Sequence, residues 1–251
     1  MSDAVLHSVE RGIATLTLNR PDNRNALSIE LMNALGDALG AAMGTDDIRA
    51  IVLTNEGNTF CAGADLKGGS FGDARFGLVE ILELMMDGPK PVVGQIAGHC
   101  MGGGVGLAAA CDLSIASADV KFGFTEVRIG VAPAIISVVC LQKMRRADAM
   151  ELFLSGERIE AERAAEVGLI NGTAPANHLD DAIAQLLEKL VLGGPNALAK
   201  AKELVYKVPP MERGEAFTWT NTLSQELFGS EEAAAGIAAY RERTKAPWVP
   251  S

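Results

Sequence analysis

Several things are scarce or missing in this chain of 251 residues, and each absence removes a class of function. No apolar stretch reaches the roughly 20 residues a membrane helix needs, so none is expected. Met1-Ser2-Asp3-Ala4-Val5 carries neither a basic n-region nor an apolar h-region, so no secretory leader is expected there. Positive charge is short: 22 Lys and Arg stand against 32 Asp and Glu, a formal net charge of −10. Nucleic acid demands a basic footprint, which this balance disfavours. An anionic coenzyme stays possible, because a few local Lys or Arg side chains suffice to hold one. No Gly-x-Gly-x-x-Gly follows a strand, and no ligand cluster has metal spacing, so neither a redox cofactor nor a metal is implied. The four cysteines, Cys61, Cys100, Cys111 and Cys140, form no CxxC pair and sit among apolar or small residues. They are expected as buried free thiols in a reducing, cytoplasmic compartment.

What is present is an ordinary globular composition, 48% hydrophobic and 22% charged, enough for one large domain with at most a small appendage. Residues 5–9 and 13–18 predict a hairpin across Arg11-Gly12. Pro21-Asp22-Asn23 breaks the chain before a helix capped near Ser28, whose apolar positions Ile29, Met32, Leu35, Leu39 and Met43 recur every three or four residues. Residues 48–54, 92–96 and 112–116 predict strands, and 78–86 a helix stopped at Gly88-Pro89. Strand–helix alternation argues for a mixed α/β fold, a Rossmann-like sheet as readily as any other. From residue 177 onward the pattern is helical only, over 179–192, 195–206, 212–228 and 231–243. Gly193-Gly194-Pro195 is the best boundary, with glycine ending one helix and proline at the first turn of the next. It divides the chain into a core of residues 1–193 and a helical region of 194–251.

Two small-residue turns stand out. Phe60-Cys61-Ala62-Gly63-Ala64-Asp65 follows the apolar run 50–53, and Gly102-Gly103-Gly104 follows 91–96 and opens a small-residue helix. Each reads as strand, turn, helix with nothing bulky at the turn. Such turns expose backbone N–H groups without intrahelical partners, near the positive end of a helix dipole. One such site suits a phosphate. Two that converge would form an oxyanion hole for charge developing on a carbonyl oxygen.

These segments carry a resemblance. Asn19-Arg20-Pro21 with Asn25-Ala26-Leu27, then Phe60 to Leu66, Met101-Gly102-Gly103-Gly104, Cys111-Asp112, and Phe122-Gly123 with Glu126 and Gly130, together resemble the enoyl-CoA hydratase/isomerase (crotonase) superfamily, over nearly the whole chain. The resemblance implies an α/β fold, a crotonase-like spiral of ββα turns with a C-terminal helical oligomerisation region, packed as a homotrimer or a hexamer of two trimers. It implies an acyl-CoA thioester substrate, with coenzyme A entering only as part of it. It places the two oxyanion donors at the Ala64 and Gly103 N–H groups. It also makes Glu126 the acid–base residue, and a carboxylate in that apolar stretch should titrate high. The competing role for Glu126 is a salt bridge to Arg128. Coenzyme contacts are implied for Arg24, Ala26, Ala62, Asp65, Leu66, Lys245 and Trp248, the last two from a C-terminal helix, sometimes of a neighbouring subunit. Lys67 would meet a phosphate, and Gly68-Gly69-Ser70-Phe71-Gly72 reads as a flexible segment shaping the acyl pocket.

One departure bears on the reaction. Hydratases of the family place a second glutamate where this chain has Gly106, whereas water addition normally uses two carboxylates. Hydration of an enoyl-CoA, and hence a lyase, is the leading expectation. A Δ3,Δ2-enoyl-CoA isomerase working with one glutamate, or a catalytically weak acyl-CoA-binding member, are the alternatives. Glu126 to Gly130 with Pro133-Ala134-Ile135-Ile136-Ser137 also looks like methylglutaconyl-CoA hydratase-like members, whose substrate bears a distal carboxylate for which Gly106 would leave room. His99 reads as structural, and Ser137 with His99 lacks the context of a hydrolase triad.

Overall fold

The computed structural model describes residues 3–66 and 74–249. Lys67 and the 68–72 segment singled out above lie outside the described residues. The elements are β1 Val5–Glu10, β2 Ile13–Leu18, α1 Ile29–Gly44, β3 Ala50–Asn55, β4 Thr59–Cys61, α2 Leu78–Asp87, β5 Val92–Ile96, β6 His99–Met101, α3 Gly103–Ala110, β7 Leu113–Ser117 and β8 Lys121–Gly123. There follow α4 Ala134–Cys140, α5 Arg146–Ser155, β9 Arg158–Glu160, α6 Ala161–Glu166, β10 Gly172–Ala174, α7 Leu179–Leu190, α8 Pro195–Lys207, α9 Arg213–Phe228 and α10 Glu231–Glu242.

Local chemistry accounts for the element ends. Ser28 caps α1, its Oγ accepting from the Leu31 N–H at 3.3 Å. Gly88-Pro89 stops α2, and Pro195 opens α8. Strand β2 alternates, with Ala14, Leu16 and Leu18 fully buried and Ile13 on the other face.

The topology is a repeated ββα unit. A six-stranded sheet has the order β1-β2-β3-β5-β7-β10, and a four-stranded sheet the order β4-β6-β8-β9. Successive units β3–β4–α2, β5–β6–α3 and β7–β8–α4 each give one strand to each sheet before turning into a helix. Pairing inside the first sheet is parallel from β2 to β10, and only β1–β2 and β8–β9 are antiparallel. The chain is therefore a spiral, not a Rossmann-like single sheet. The main core lies between the two sheets and helices α1 to α6. A smaller one, with Val52 and Val93 from the sheet and Leu179 and Ile183 from α7, covers the outer face of the first sheet.

The C-terminal helices are tied back at two places. Lys202 of α8 reaches Asp112, as detailed in the Discussion, and the Arg49 guanidinium donates to the Gly193 carbonyl at 2.7 Å and to the Trp248 carbonyl. Among the described residues no helix is long and apolar enough to cross a membrane.

Candidate active site

The two small-residue turns meet. The turn after β4 and the turn before α3 are in backbone contact, and only glycine allows it. Gly63 has φ +86°, and a Cβ there would lie 2.9 Å from the Met101 carbonyl oxygen and 3.1 Å from the Gly103 nitrogen. Gly102, at φ +52°, caps α3 without a side chain and sits under the Glu126 carboxyl, whose Oε1 would be 3.2 Å from any Cβ. Two residues on, a Cβ at Gly104 would overlap the Cys61 carbonyl oxygen. Among the described residues the N–H groups of Ala64 and Gly103 donate to no protein acceptor. Gly103 is the first residue of α3, where no intrahelical acceptor exists.

A third segment fixes the first turn. The Leu27 N–H donates to the Gly63 carbonyl at 2.8 Å, and the Ala62 N–H to the Arg24 carbonyl at 3.0 Å. Asn25 holds that segment. It is fully buried at φ +49°; its Oδ1 accepts from the Arg20 N–H at 2.6 Å, and its Nδ2 donates to the Thr59 and Glu56 carbonyls at 2.7 and 3.1 Å. Every polar atom of the Asn25 amide thus braces the loop entering the site. Sequence reading quoted Asn25 in a motif without giving it a role. Its signal was a polar residue directly before the apolar Ala26-Leu27 after a proline turn.

Both turns open onto a cavity of about 1160 Å³. Of the residues expected at the site, Ala62, Ala64, Leu66, Gly103 and Glu126 line it. Leu27, Met32, Leu78, Ile129, Ile135 and Ile136 supply apolar walls. Arg24, Ala26, Asp65, Gly106, Lys245 and Trp248 are not part of the lining. Arg24 is exposed on the loop that Asn25 holds, and Ala26 is buried behind it. Asp65 accepts from the Asn23 amide at 3.2 Å. Trp248 packs over Gly236 in a separate groove, its Nε1 donating to the Leu192 carbonyl at 3.0 Å, and Lys245 is exposed. Within one protomer the C-terminal pair therefore does not reach this cavity. The room expected beside Gly106 is not there either: a Cβ at Gly106 would overlap Ile136 Cγ2.

Glu126 follows β8 in a short 3-10 turn, Thr125–Ile129. Its Oε2 is buried without a hydrogen-bond partner among the described residues. Burial pushes its pKa up from the ordinary 4.5, only partly offset by its own backbone N–H. The salt bridge to Arg128 is not formed. Arg128 turns away and donates from Nε to the Gly156 carbonyl at 2.9 Å and from Nη2 to the Ser155 carbonyl at 3.3 Å.

The remaining candidates resolve simply. His99 Nδ1 accepts from the Lys121 N–H at 3.0 Å, and the Ser137 hydroxyl donates to the Ala134 carbonyl within its own helix, so the two do not pair. All four cysteines are buried free thiols, and burial pushes Cys61 and Cys111 up to about 12. Among the described residues no group of three His, Cys, Asp or Glu side chains converges as metal ligands would.

Known proteins share this sequence and this fold. Residues 8–250 match the family described as enoyl-CoA hydratase/isomerase. An enoyl-CoA hydratase of Mycobacterium tuberculosis is 32% identical over 247 residues, 94% of this chain and 93% of the relative. The (E)-benzylidenesuccinyl-CoA hydratase of Thauera aromatica is 31% identical over 246 residues, 94% of each. The crystal structure of an enoyl-CoA hydratase of Mycobacterium smegmatis superposes with a TM-score of 0.90 at 30% identity, covering 98% of both chains. Matched along nearly its whole length in sequence and in fold, this chain is an enzyme of the enoyl-CoA hydratase/isomerase family.

Proposed function

We propose that the chain binds an enoyl-CoA thioester with its carbonyl oxygen between the Ala64 and Gly103 N–H groups, and that Glu126 moves the proton. The observation that carries this is the meeting of two turns, each with an N–H lacking a protein acceptor, on the cavity that also holds a desolvated carboxyl. Charge that builds on the thioester oxygen in an enolate would find two preorganised donors, each worth about 3 kcal/mol in a comparable oxyanion hole. The reaction is hydration or its reverse, the activity named for the relatives: water gives its hydroxyl to the β-carbon and a proton reaches the α-carbon. A second reading is favoured by the apolar filling beside Gly106, which leaves Glu126 without a second carboxylate at that position. In it, Glu126 takes a proton from the α-carbon of a 3-enoyl-CoA and returns one to the γ-carbon, a double-bond shift.

The family resemblance gives the coenzyme contacts to Arg24, Ala26, Ala62, Asp65, Leu66 and Lys67. Lys245 and Trp248, remote from the cavity of their own protomer, would serve a neighbouring one in a homotrimer or hexamer. No cofactor beyond the coenzyme A of the substrate is needed for either reaction. Four free thiols suit a cytoplasmic setting. Incubation with 2-enoyl-, 3-enoyl- and 3-methylglutaconyl-CoA, with products followed by mass, separates the readings. A mass gain of one water marks hydration, and an isomeric product with deuterium taken from the solvent marks the double-bond shift. Binding of all three without turnover would leave only a weak acyl-CoA-binding member. Light scattering of the purified chain tests the assembly, and a monomer would remove the role given to Lys245 and Trp248.

A further inference from the structure

Beside Glu126 the cavity wall is made by an exchange of bulk between two helices. Gly106 lies one turn into α3, is buried, and does not line the cavity. Ile136, in the first turn of α4, does line it although it is only 3% exposed. A Cβ at Gly106 would overlap Ile136 Cγ2 and lie 2.9 Å from Ile136 Cβ. The branched side chain of Ile136 thus occupies the volume into which any side chain at 106 would project. Gly102, one turn before Gly106, lies under the Glu126 carboxyl, whose Oε1 would be 3.2 Å from a Cβ there, so this end of α3 runs beside the carboxyl. Glu126 Oε2 is buried there with no hydrogen-bond partner among the described residues.

We propose that Ile136 is a specificity-determining residue: it fills the place of a second side chain from α3 and keeps water and any second carboxylate from the wall beside Glu126. The proposal rests on the second enoyl-CoA reading above, the double-bond shift, and deepens it. Water addition needs a water held and activated at the β-carbon. A double-bond shift needs only one carboxylate and a dry wall. Hydrocarbon offers a water no acceptor, so Ile136 tips the site toward moving protons over adding water. Glycine at 106 is then the consequence of isoleucine at 136, and restoring a glutamate at 106 alone cannot restore hydration.

The test compares wild type, Gly106→Glu, Ile136→Ala and the double variant. Expected are a lowered melting temperature for Gly106→Glu alone and recovery in the double variant, where the alanine vacates the volume. The ratio of crotonyl-CoA hydration to 3-enoyl-CoA isomerisation should rise about tenfold in Ile136→Ala and about 100-fold in the double variant, the scale of one positioned acid–base group. A readout without turnover accompanies it: carbon-13 NMR titration of Glu126, assigned with Glu126→Gln. Water admitted by Ile136→Ala should move the Glu126 midpoint down toward the ordinary carboxylate range. The proposal is overturned if Gly106→Glu alone is as stable as wild type, or if Ile136→Ala leaves both the ratio and the midpoint unchanged. If wild type turns over no enoyl-CoA, the enoyl-CoA reading fails, and the Glu126 titration still decides whether Ile136 keeps water away.

Discussion

Helix α3 is only eight residues long, and its two ends are treated in opposite ways. At its N-terminal end two backbone N–H groups and one carboxylate oxygen are left without partners among the described residues, as given above. At its C-terminal end Asp112 and the Cys111 carbonyl are met by side chains. Asp112 accepts from the Val92 N–H at 2.7 Å, from Lys202 Nζ at 2.9 Å and from the Tyr206 hydroxyl at 3.4 Å. Lys143 Nζ donates to the Cys111 carbonyl at 2.7 Å, and Lys202 Nζ also donates to the Met85 and Lys90 carbonyls. Lys143 thus satisfies a carbonyl at the negative end of the α3 dipole, and Lys202 ties Asp112 to the last turn of α2 and the loop before β5. Unsatisfied polar groups cost stability, and here they are concentrated at the end that faces a cavity. The difference teaches where binding energy is held in reserve for a ligand and where it has been used for the fold.

If that contrast is right, damage at the first end should remove activity and damage at the second should remove stability. The largest effect is expected from Glu126→Gln. It should lower kcat about 10²- to 10⁴-fold with coenzyme binding kept, because it removes a proton carrier and not a binding contact. In wild type the acidic limb of kcat/KM should lie above the ordinary carboxylate range, since burial raises Glu126 and the base must be ionised. Steady-state kinetics check both, and a near-normal kcat would take Glu126 out of the mechanism. Next comes Ala64→Pro, which deletes an N–H that donates to no acceptor among the described residues. The fold should keep its circular dichroism while kcat falls about 10²- to 10³-fold, roughly 3–4 kcal/mol of lost oxyanion stabilisation. An active, folded variant would disprove the donor role of Ala64.

The two ends were not equally legible in the sequence. The strand–turn–helix around Gly102 and the cap at Ser28 depend on neighbours in the chain, so residue types alone located them. The spiral came only through resemblance, because the order β3-β5-β7-β10 is set by pairings between strands far apart in sequence. Ile135 and Ile136 show the limit best. They are adjacent and chemically identical, yet one is 46% exposed and the other fills the space at Gly106, thirty positions back in the chain. Lys202 was equally hidden. It sits on α8 close to Lys200 and Lys207 and looks like any solvated lysine, but its side chain is only 7% exposed. Tertiary partners, not periodicity, decide such positions.

Lys202 gives the third prediction, at the other end of α3. Removing the cation from a buried pair leaves Asp112 charged and desolvated, and desolvation already raises its pKa. Lys202→Met should therefore cost about 3 kcal/mol or more in urea unfolding, while any folded enzyme keeps its Glu126-dependent chemistry. Adding Asp112→Asn should return much of the loss, because the stranded charge goes with it. If Lys202→Met unfolds at the wild-type urea concentration, the ion pair is not what ties α8 to the core.

The smallest effect is a pH dependence of stability, and its sign distinguishes the two ends again. Burial raises the Glu126 pKa above 4.5, so in the folded chain the carboxyl holds its proton to higher pH than in the unfolded chain. Between 4.5 and the folded value the native state binds more protons, and stability falls as pH rises through that window. Above it the penalty is constant. Glu126→Gln has nothing to titrate there, so the variant should equal wild type below the window and exceed it at neutral pH. Each pH unit of difference corresponds to about 1.4 kcal/mol at most, and the cavity's opening to water reduces that to well under 1 kcal/mol. Paired urea titrations at pH 4 and pH 7.5 measure it. A difference that is the same at both values would mean that burial leaves the carboxyl's pKa unshifted, and one that favours wild type at neutral pH would mean that the folded site stabilises the carboxylate.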